Sequence, residues 1–282
     1  MKTLSQKSNF QIRVISALLF FAIIIAGYYF LGNSGLLFIG LVVSAFLILE
    51  GGNLLGMNQV PSKFLKFYFY FSTSIILFIY LFISIQFTLL FFTIFALFFF
   101  VISLSYGVHK TEDITYVLQY QLKTLLGWIY LGLLPAMCLE ILLKPKGDFW
   151  FLFLLAIVFA GDIMAYIIGK LFGSHLVLPL ISPKKTWEGV LGGWLGSTTI
   201  SLIVWKFNFQ NVSIFQIIFC ATAVSFFAQG GDFFESLLKR ITNVKDSGSI
   251  MPGHGGLLDR TDGLLFASPI MAYFISQYER FF

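Results

Sequence analysis

The stretch FYFYFSTSIILFIYLFISIQFTLLFFTIFALFFFVISLSYG, residues 67–107, decides the class of fold, because it contains no Asp, Glu, Lys or Arg. Hydrophobic residues make up 58% of the 282-residue chain and charged residues 11%, and the mean hydropathy is +0.90. An ordinary soluble domain holds about twice that share of charged residues. The sequence therefore predicts an integral membrane protein.

Apolar runs of this kind recur along the chain, each close to the roughly 20 residues that a membrane-spanning helix needs. They are continuously apolar, which indicates helices, whereas a β-barrel shows short alternating segments. The first run follows Lys2, Lys7 and Arg13 as in a signal peptide, but its length and its lack of a cleavage site favour a retained span. We expect an all-α polytopic membrane protein with about nine transmembrane helices, near residues 12–30, 35–55, 67–85, 87–107, 122–143, 149–169, 187–205, 213–235 and 263–279.

No internal repeat or linker divides the chain, so we expect a single integral membrane domain over residues 1–282. Residues 1–150 form N-terminal spans of low specificity, and residues 151–282 hold the candidate catalytic spans and cytoplasmic loops. Because cytoplasmic loops are rich in Lys and Arg, we expect a cytoplasmic N-terminus and an external C-terminus. Of the 18 basic residues, this orientation leaves only Lys144, Lys146, Lys206 and Arg280 outside.

A second stretch, SLLKRITNVKDSGSIMPGHGGLLDRTD at residues 236–262, is polar and glycine-rich between two apolar runs. Its glycines allow backbone N–H groups to approach phosphate oxygens closely. Asp259 and Asp262 stand three residues apart where the ninth run begins, and Asp232 lies near the end of the eighth. Such carboxylates suit Mg²⁺, which usually takes one or two from the protein. The predicted metal ligands are Asp232 and Asp259, then Asp246 and Asp262, with Glu235 as a further candidate.

Basic residues of the same stretch are suited to neutralising phosphates: Lys239, Arg240, Lys245 and Arg260. A simpler interpretation of Asp232 is an ion pair with Lys239 or Arg240, which follow it on the same helix. His254, between glycines, is either a phosphate donor or proton acceptor, or a loop residue that satisfies backbone groups. With no second His or Cys nearby, a zinc site is not expected.

The cluster ISPKKTWEG, residues 181–189, precedes the seventh run. Ser182 and Thr186 are candidate helix caps, and Pro183 suits an early helical position. Lys184 and Lys185 would add positive charge beside a helix N-terminus, which favours anions; a positive-inside anchor is the alternative. Upstream, Asp162 is an acid within an apolar run and hence a site candidate. Helix packing is the role expected for four glycines, Gly189, Gly192, Gly193 and Gly196.

These residues together resemble the phosphatidate cytidylyltransferase family, also called CDP-diacylglycerol synthases. The family pattern is Ser, two residues, Lys-Arg, four residues, Lys-Asp, then Pro-Gly-His-Gly-Gly, two residues, Asp-Arg, one residue and Asp. Every fixed element has its counterpart between Ser236 and Asp262. ISPKKTWEG and GDIMAY, which begins at Gly161, resemble two further family elements. The resemblance covers about residues 155–270, whereas the first 150 residues match only as apolar spans.

The resemblance implies transfer of a cytidylyl group from CTP to phosphatidic acid, giving CDP-diacylglycerol and pyrophosphate. It also implies that Mg²⁺ is required, and it leaves a second cation open. It places the chain in phospholipid biosynthesis, and a bacterial inner membrane with a cytoplasm-facing site is the most economical location. Nucleic acid is not an expected partner, and glycine-rich helix faces suggest a homodimer. A CTP-dependent lipid-alcohol kinase and a transporter remain alternatives, although the inverted repeats of a transporter are not visible.

The site residues divide into three groups. The candidate catalytic residues are Asp232, Asp246, Asp259, Lys239, Arg240, Lys245, His254 and Arg260. The candidate substrate-binding residues are Ser182, Lys184, Lys185, Thr186, Ser236, Gly255 and Gly256. The candidate metal ligands are the four aspartates named above.

Overall fold

The computed structural model describes residues 2–60, 62–110, 114–208, 212–251, 253 and 255–278. The described chain is dominated by helices, because a backbone in lipid must satisfy its hydrogen bonds within the segment. The helices are α1 Lys2–Leu54, α2 Lys63–Phe82, α3 Ile85–Lys110, α4 Ile114–Gly127, α5 Leu134–Leu143, α6 Gly147–Phe172, α7 Trp187–Asn208, α8 Ile214–Ile241 and α9 Leu258–Tyr278. A 3-10 turn covers Met57–Gln59, and a π-helical turn, Trp128–Leu133, joins α4 to α5. Two short antiparallel strands, β1 Leu176–Leu178 and β2 Ser182–Thr186, connect α6 to α7.

Within the described residues, seven helices are long and apolar enough to cross a membrane. The first two predicted runs form the single helix α1, which is interrupted at Gly32, where φ is 59° and ψ is −140°. The ninth run corresponds to α9, which carries Asp259 and Arg260 in its first turn, contains Pro269, and is not among the seven. The chain is thus an all-α polytopic membrane protein, and the count of nine and the placement of the termini stay predictions.

Residues 42–137 form one compact unit. Its largest buried ring is Trp128, whose Nε1 donates a hydrogen bond to Ser72 Oγ at 2.8 Å. The Tyr120 hydroxyl donates to the carbonyl oxygen of Leu65 at 2.6 Å. Because buried polar groups require partners, these two bonds hold α2 in register with α4 and the π-helical turn.

The second compact unit contains the residues up to Leu41 and those from Cys138 onward. Apolar side chains of α6, α8 and α9 form its core, and every candidate site residue that the structure describes belongs to this unit. A hydrogen-bonded box at Ser213 and Gln216 caps the N-terminus of α8 and satisfies backbone N–H groups that the helix itself leaves unpaired. The central core side chains are Trp150, Leu154, Ile157, Ile217, Val224, Met271 and Ile275.

Helices α6 and α7 approach each other along a seam of small residues. A Cβ atom at Gly196 would lie 2.6 Å from the carbonyl oxygen of Ala160, closer than real Cβ contacts come. Ser197 Oγ donates to the carbonyl oxygen of Ile157 at 3.0 Å across the same seam. Gly189, Gly192 and Gly193 also lie against α6, so the packing role predicted for the four glycines is confirmed. The seam positions the end of α6 and the start of α7, and therefore the strands between them.

Candidate active site

Most of the predicted site residues come together around four adjoining pieces of chain. These are the β1–β2 hairpin, the last three turns of α8, the loop that follows α8, and the first turn of α9. Contacts between residues far apart in sequence join them, namely Lys185 with Asp232 and Lys239 with Asp259. The two polar stretches found in the sequence therefore belong to a single site.

Lys239 links α8 to α9 through two carboxylates. Its Nζ lies 2.7 Å from Glu235 Oε2, one helical turn earlier, and 2.7 Å from Asp259 Oδ1. The Glu235 side chain is only 1% exposed and that of Lys239 is 17% exposed. A buried carboxylate is costly unless a cation is paired with it, so this lysine stabilises both acids. The ammonium group of Lys239 is thus already paired with two carboxylates of the protein. No contact among the described residues tests the phosphate-binding role predicted for Lys239, which stays a prediction.

Asp259 organises the glycine-rich loop from the start of α9. Its Oδ2 accepts hydrogen bonds from the backbone N–H groups of Ser247 and Gly256, both at 2.9 Å, and from Ser247 Oγ at 3.1 Å. Burial opposes ionisation of this carboxyl group, but the hydrogen bonds from Lys239 and from the two N–H groups favour its charged form, and the pKa of Asp259 is lowered to about 2. Asp259 is therefore a charged anchor that closes the loop onto α9.

The backbone of the loop needs residues that tolerate positive φ. Helix α8 ends with Asn243 in the left-handed region, at φ 56°, and the N–H of Val244 returns to the carbonyl oxygen of Lys239 at 3.0 Å. Further along, Gly255 has φ 90°, and a Cβ there would lie 3.1 Å from Asp259 Oδ2. Glycine thus allows the loop both to turn and to approach the aspartate.

An acidic pocket surrounds Lys185 of β2. The Lys185 ammonium forms an ion pair with Asp232 and lies 4.4 Å from the centre of the Phe233 ring. Asp162 of α6 and Asp262 of α9 are both close enough to interact electrostatically with Asp232 and Lys185. The simpler prediction, a pair between Asp232 and Lys239 or Arg240, is wrong. The ammonium group that reaches Asp232 comes from the hairpin, 47 residues earlier in the chain.

The donor chemistry of this pocket fits a hard divalent cation. Asp262 is buried, and within the described chain Glu235 Oε1 is a buried oxygen without a hydrogen-bond partner. Asp259, ranked with Asp232 as a first ligand, already accepts four hydrogen bonds, and Asp246 is exposed in the loop. Among the described residues no group of three or more His, Cys, Asp and Glu side chains is arranged to hold a metal ion. The metal site stays a prediction, and Asp232 and Asp262 are the two of its candidate ligands that belong to this pocket.

The segment predicted to start a helix at Ser182 is instead a strand. Ser182 and Pro183 lie in β2, which pairs with β1, and α7 begins only at Trp187. The capping role predicted for Thr186 is confirmed, since its Oγ1 accepts a hydrogen bond from the N–H of Gly189 at 3.2 Å. The two lysines are therefore presented by an extended backbone, with Lys184 exposed and Lys185 directed to Asp232.

Glu188, which was not a predicted site residue, and Arg240, which was, fix this hairpin. Glu188 accepts hydrogen bonds from the N–H groups of Ser174 and His175, at 3.1 and 3.3 Å, and its Oε1 lies 2.7 Å from His175 Nδ1. At the other end, Arg240 Nε donates to the carbonyl oxygen of Ile181 at 3.1 Å. Glu188 belongs to the ISPKKTWEG cluster and lies in the first turn of α7, where acidic residues are frequent. Arg240, predicted to bind phosphate, thus contacts the hairpin backbone.

The remaining predicted residues lie on the loop and its flanks. Lys245 and Asp246 are exposed, Ser236 is partly exposed on α8, and Arg260 is exposed on the first turn of α9. Gly256 supplies an N–H group to Asp259 rather than an open phosphate cradle. His254 lies outside the described residues, so the role predicted for it is not tested.

With this geometry in view, comparison with known proteins assigns the class. The chain matches the model of the cytidylyltransferase family over residues 11–278, which is nearly its whole length. The chain belongs to this family, and the resemblance inferred from the motifs is confirmed. The family model includes the N-terminal spans, for which the sequence motifs gave no specific signal.

Individual relatives match about half of the chain. The chain is 40% identical over 134 residues to the phosphatidate cytidylyltransferase of Staphylococcus saprophyticus, 41% to that of Staphylococcus epidermidis and 39% to that of Staphylococcus aureus. Each alignment covers 48% of this chain and 52% of the relative. The chain thus spans about half the length of the curated relatives it matches.

Proposed function

We propose that this chain transfers the cytidylyl group of CTP to phosphatidic acid, forming CDP-diacylglycerol and pyrophosphate. The observation that carries the proposal is the joining of the lysine-bearing hairpin to the acidic end of α8 through Lys185 and Asp232. Family membership and the names of the relatives support it. A site at the ends of membrane helices suits a reaction in which one substrate is a lipid and the other is water-soluble.

The reaction needs charge neutralisation more than acid–base chemistry. An oxygen of the lipid phosphate attacks the α-phosphorus of CTP, and the bond from that phosphorus to the oxygen bridging to the β-phosphate breaks. Pyrophosphate leaves with the bridging oxygen and its electron pair. The attacking phosphate oxygen is already anionic, so the protein acts by aligning the two phosphates and stabilising their charge.

The contacts suggest a division of labour among the basic residues. Lys185 lies beside the acidic pocket, and Lys184 is free to reach a lipid phosphate or the nucleotide at the hairpin surface. Lys245 and Arg260 are exposed where a triphosphate would approach the loop. Lys239 is bound to Glu235 and Asp259 and acts as a positioning residue for the loop.

We also propose Mg²⁺ as the cofactor, with Asp232 and Asp262 as its protein ligands and Asp246 and Asp259 as the further candidates. When bound, it would neutralise phosphate oxygens of the nucleotide. The oxygen-only donor set fits this ion. Lys185, which is paired with Asp232, would add its charge to that of the metal.

The finer topology is part of the proposal. We place nine spans in a bacterial inner membrane, with the N-terminus and the site on the cytoplasmic face and the C-terminus outside. CTP and magnesium are then on the same side as the hairpin and the loop. The positive-inside distribution of Lys and Arg supports this orientation. A homodimer is also part of the proposal.

The proposal is tested with the purified protein in lipid nanodiscs. Pyrophosphate release from CTP should require both phosphatidic acid and Mg²⁺, and mass spectrometry should identify CDP-diacylglycerol. Lys185→Met should lower the turnover by about 100-fold, because one charge that stabilises the reacting phosphates is lost. Lys206→Met, at the opposite end of α7, is the matched control and should leave the turnover unchanged.

Other outcomes would overturn the assignment. Release of CDP together with a phosphorylated lipid alcohol would identify a CTP-dependent lipid kinase. An absence of CTP turnover with every component present would reopen the transporter interpretation. Equal turnover in Lys185→Met and the parent protein would show that Lys185 of the hairpin takes no part in the reaction.

A further inference from the structure

The tip of the β1–β2 hairpin exposes apolar side chains in a place where a loop in water would carry polar ones. Leu180 is 93% exposed, and Leu176 and Leu178 are 45% and 40% exposed. The segment from Leu176 to Ile181 contains no charged or hydrogen-bonding side chain, yet it lies between two membrane-spanning helices rather than within one. The two charged residues of the hairpin, Lys184 and Lys185, follow the tip in β2.

This apolar surface continues into the surfaces of the two flanking helices. Leu171 and Phe172 at the end of α6 are exposed, as are Trp187 and Leu191 at the start of α7. Both helices are candidate membrane spans, so their exposed apolar side chains face lipid. The hairpin tip therefore extends the exposed apolar surface of two candidate membrane spans.

The hairpin is also held firmly enough to keep its tip exposed. Arg240 Nε binds the carbonyl oxygen of Ile181, the residue next to Leu180. At the base, the N–H of Trp187 donates to the carbonyl oxygen of His175 at 2.9 Å, and Glu188 binds the N–H groups of residues 174 and 175. These bonds oppose a rearrangement that would turn Leu180 back onto the protein.

We propose that the β1–β2 hairpin is a membrane-interface anchor whose tip, centred on Leu180, lies among lipid acyl chains just below the headgroups. The positive charge next to the tip supports a lipid environment, because Lys184 and Lys185 follow soon after the apolar tip and anionic phospholipid headgroups attract such residues. Trp187 has the amphipathic ring that favours the membrane interface. The anchor would hold both lysines at the depth of lipid phosphate groups, and its insertion does not depend on the cytidylyl transfer proposed above.

The depth of the tip can be measured independently of activity. A cysteine at Leu180, and in a second protein a cysteine at the exposed loop residue Ser249, would be labelled with an environment-sensitive nitrobenzoxadiazole dye. The native residues Cys138 and Cys220 are buried, and the unsubstituted chain gives the background labelling. Each protein would be placed in nanodiscs of phosphatidylcholine and phosphatidylglycerol, with and without phospholipid bearing a nitroxide quencher on its acyl chain.

The dye at position 180 should emit at shorter wavelength, and acyl-chain nitroxide should quench it about threefold more strongly than the dye at position 249. Leu180→Asp should raise the KM for phosphatidic acid several-fold in active protein without changing the KM for CTP. Emission and quenching at position 180 equal to those at position 249 would show a tip in water and overturn the proposal. Short-wavelength emission without lipid quenching would also overturn it, because a second protein chain would then cover the tip.

Discussion

Replacing Lys239 by methionine tests the centre of the site, because it removes one charge while keeping most of the side-chain volume. The ammonium group lies 2.7 Å from both Glu235 and Asp259, whose side chains are 1% and 11% exposed. Removing one partner of a buried ion pair costs about 3–5 kcal/mol. Asp259 keeps its three bonds from Ser247 and Gly256. We therefore expect the free energy of unfolding to fall by an amount near the lower end of this range, about 3 kcal/mol.

The loss can be measured by thermal unfolding of the purified protein at neutral pH. One kcal/mol shifts the Tm of a chain of this size by roughly 2–4 °C, so Lys239→Met should lower the Tm by about 6–12 °C. Lys245→Met is the matched control, since it removes an exposed lysine six residues further along. Its Tm should change by no more than about 1–2 °C.

A second substitution separates charge from packing. The double variant Lys239→Met, Glu235→Gln replaces the buried carboxylate that has lost its cation by a neutral amide. At least about half of the lost stability should therefore return. Unchanged stability in Lys239→Met would refute the ion-pair argument. Failure of Glu235→Gln to restore any stability would refute it as well, because the loss would then reflect packing alone.

Three further predictions concern the loop and the helix ends. Gly255→Ala should lower the free energy of unfolding by about 1–2 kcal/mol, because residue 255 has a positive φ and lies close to Asp259. The control is Gly230→Ala, in open space on α8, which should be neutral or stabilising by up to about 1 kcal/mol. Thermal unfolding compares the two variants. Because the pKa of Asp259 is lowered to about 2, its ionised form should contribute about 2 kcal/mol of stability above the ordinary pKa of an aspartate, and this contribution is lost as the pH falls toward 2. The Tm measured over a series of acidic pH values should therefore fall less steeply in Asp259→Asn than in the parent protein. Ser213→Ala should lower the free energy of unfolding by about 1 kcal/mol by removing the cap of α8. Amide hydrogen exchange in the first turn of α8 should be faster than in the parent protein, and an equal rate would contradict the prediction.

Local physical rules were sufficient to predict the helices. Each apolar run became a helix because lipid leaves the backbone no other partner, and Gly32 marks the break between the first two. The same rules failed at Ser182 and Pro183, which fit a helix start but lie in a strand. That strand depends on pairing between Leu176 and Thr186, and a pattern of caps does not encode such a contact.

The composition of the site was also predictable, but its pairings were not. The motifs identified Asp232, Lys185, Lys239 and Asp259 as site residues. They did not predict that Asp232 would bind the hairpin lysine, because only the fold brings these residues together. Glu188 was missed for the same reason, since its partners are backbone N–H groups on the other side of the hairpin.

The bonds from Ser247 and Gly256 to Asp259 also bear on the order of events during synthesis. Both donors leave the ribosome before the carboxylate that accepts from them, and Lys239 leaves earlier still. A nascent chain that ends before residue 259 lacks the acceptor that closes the loop. The loop therefore reaches its final form only after α9 has begun to emerge, although α8 is by then complete.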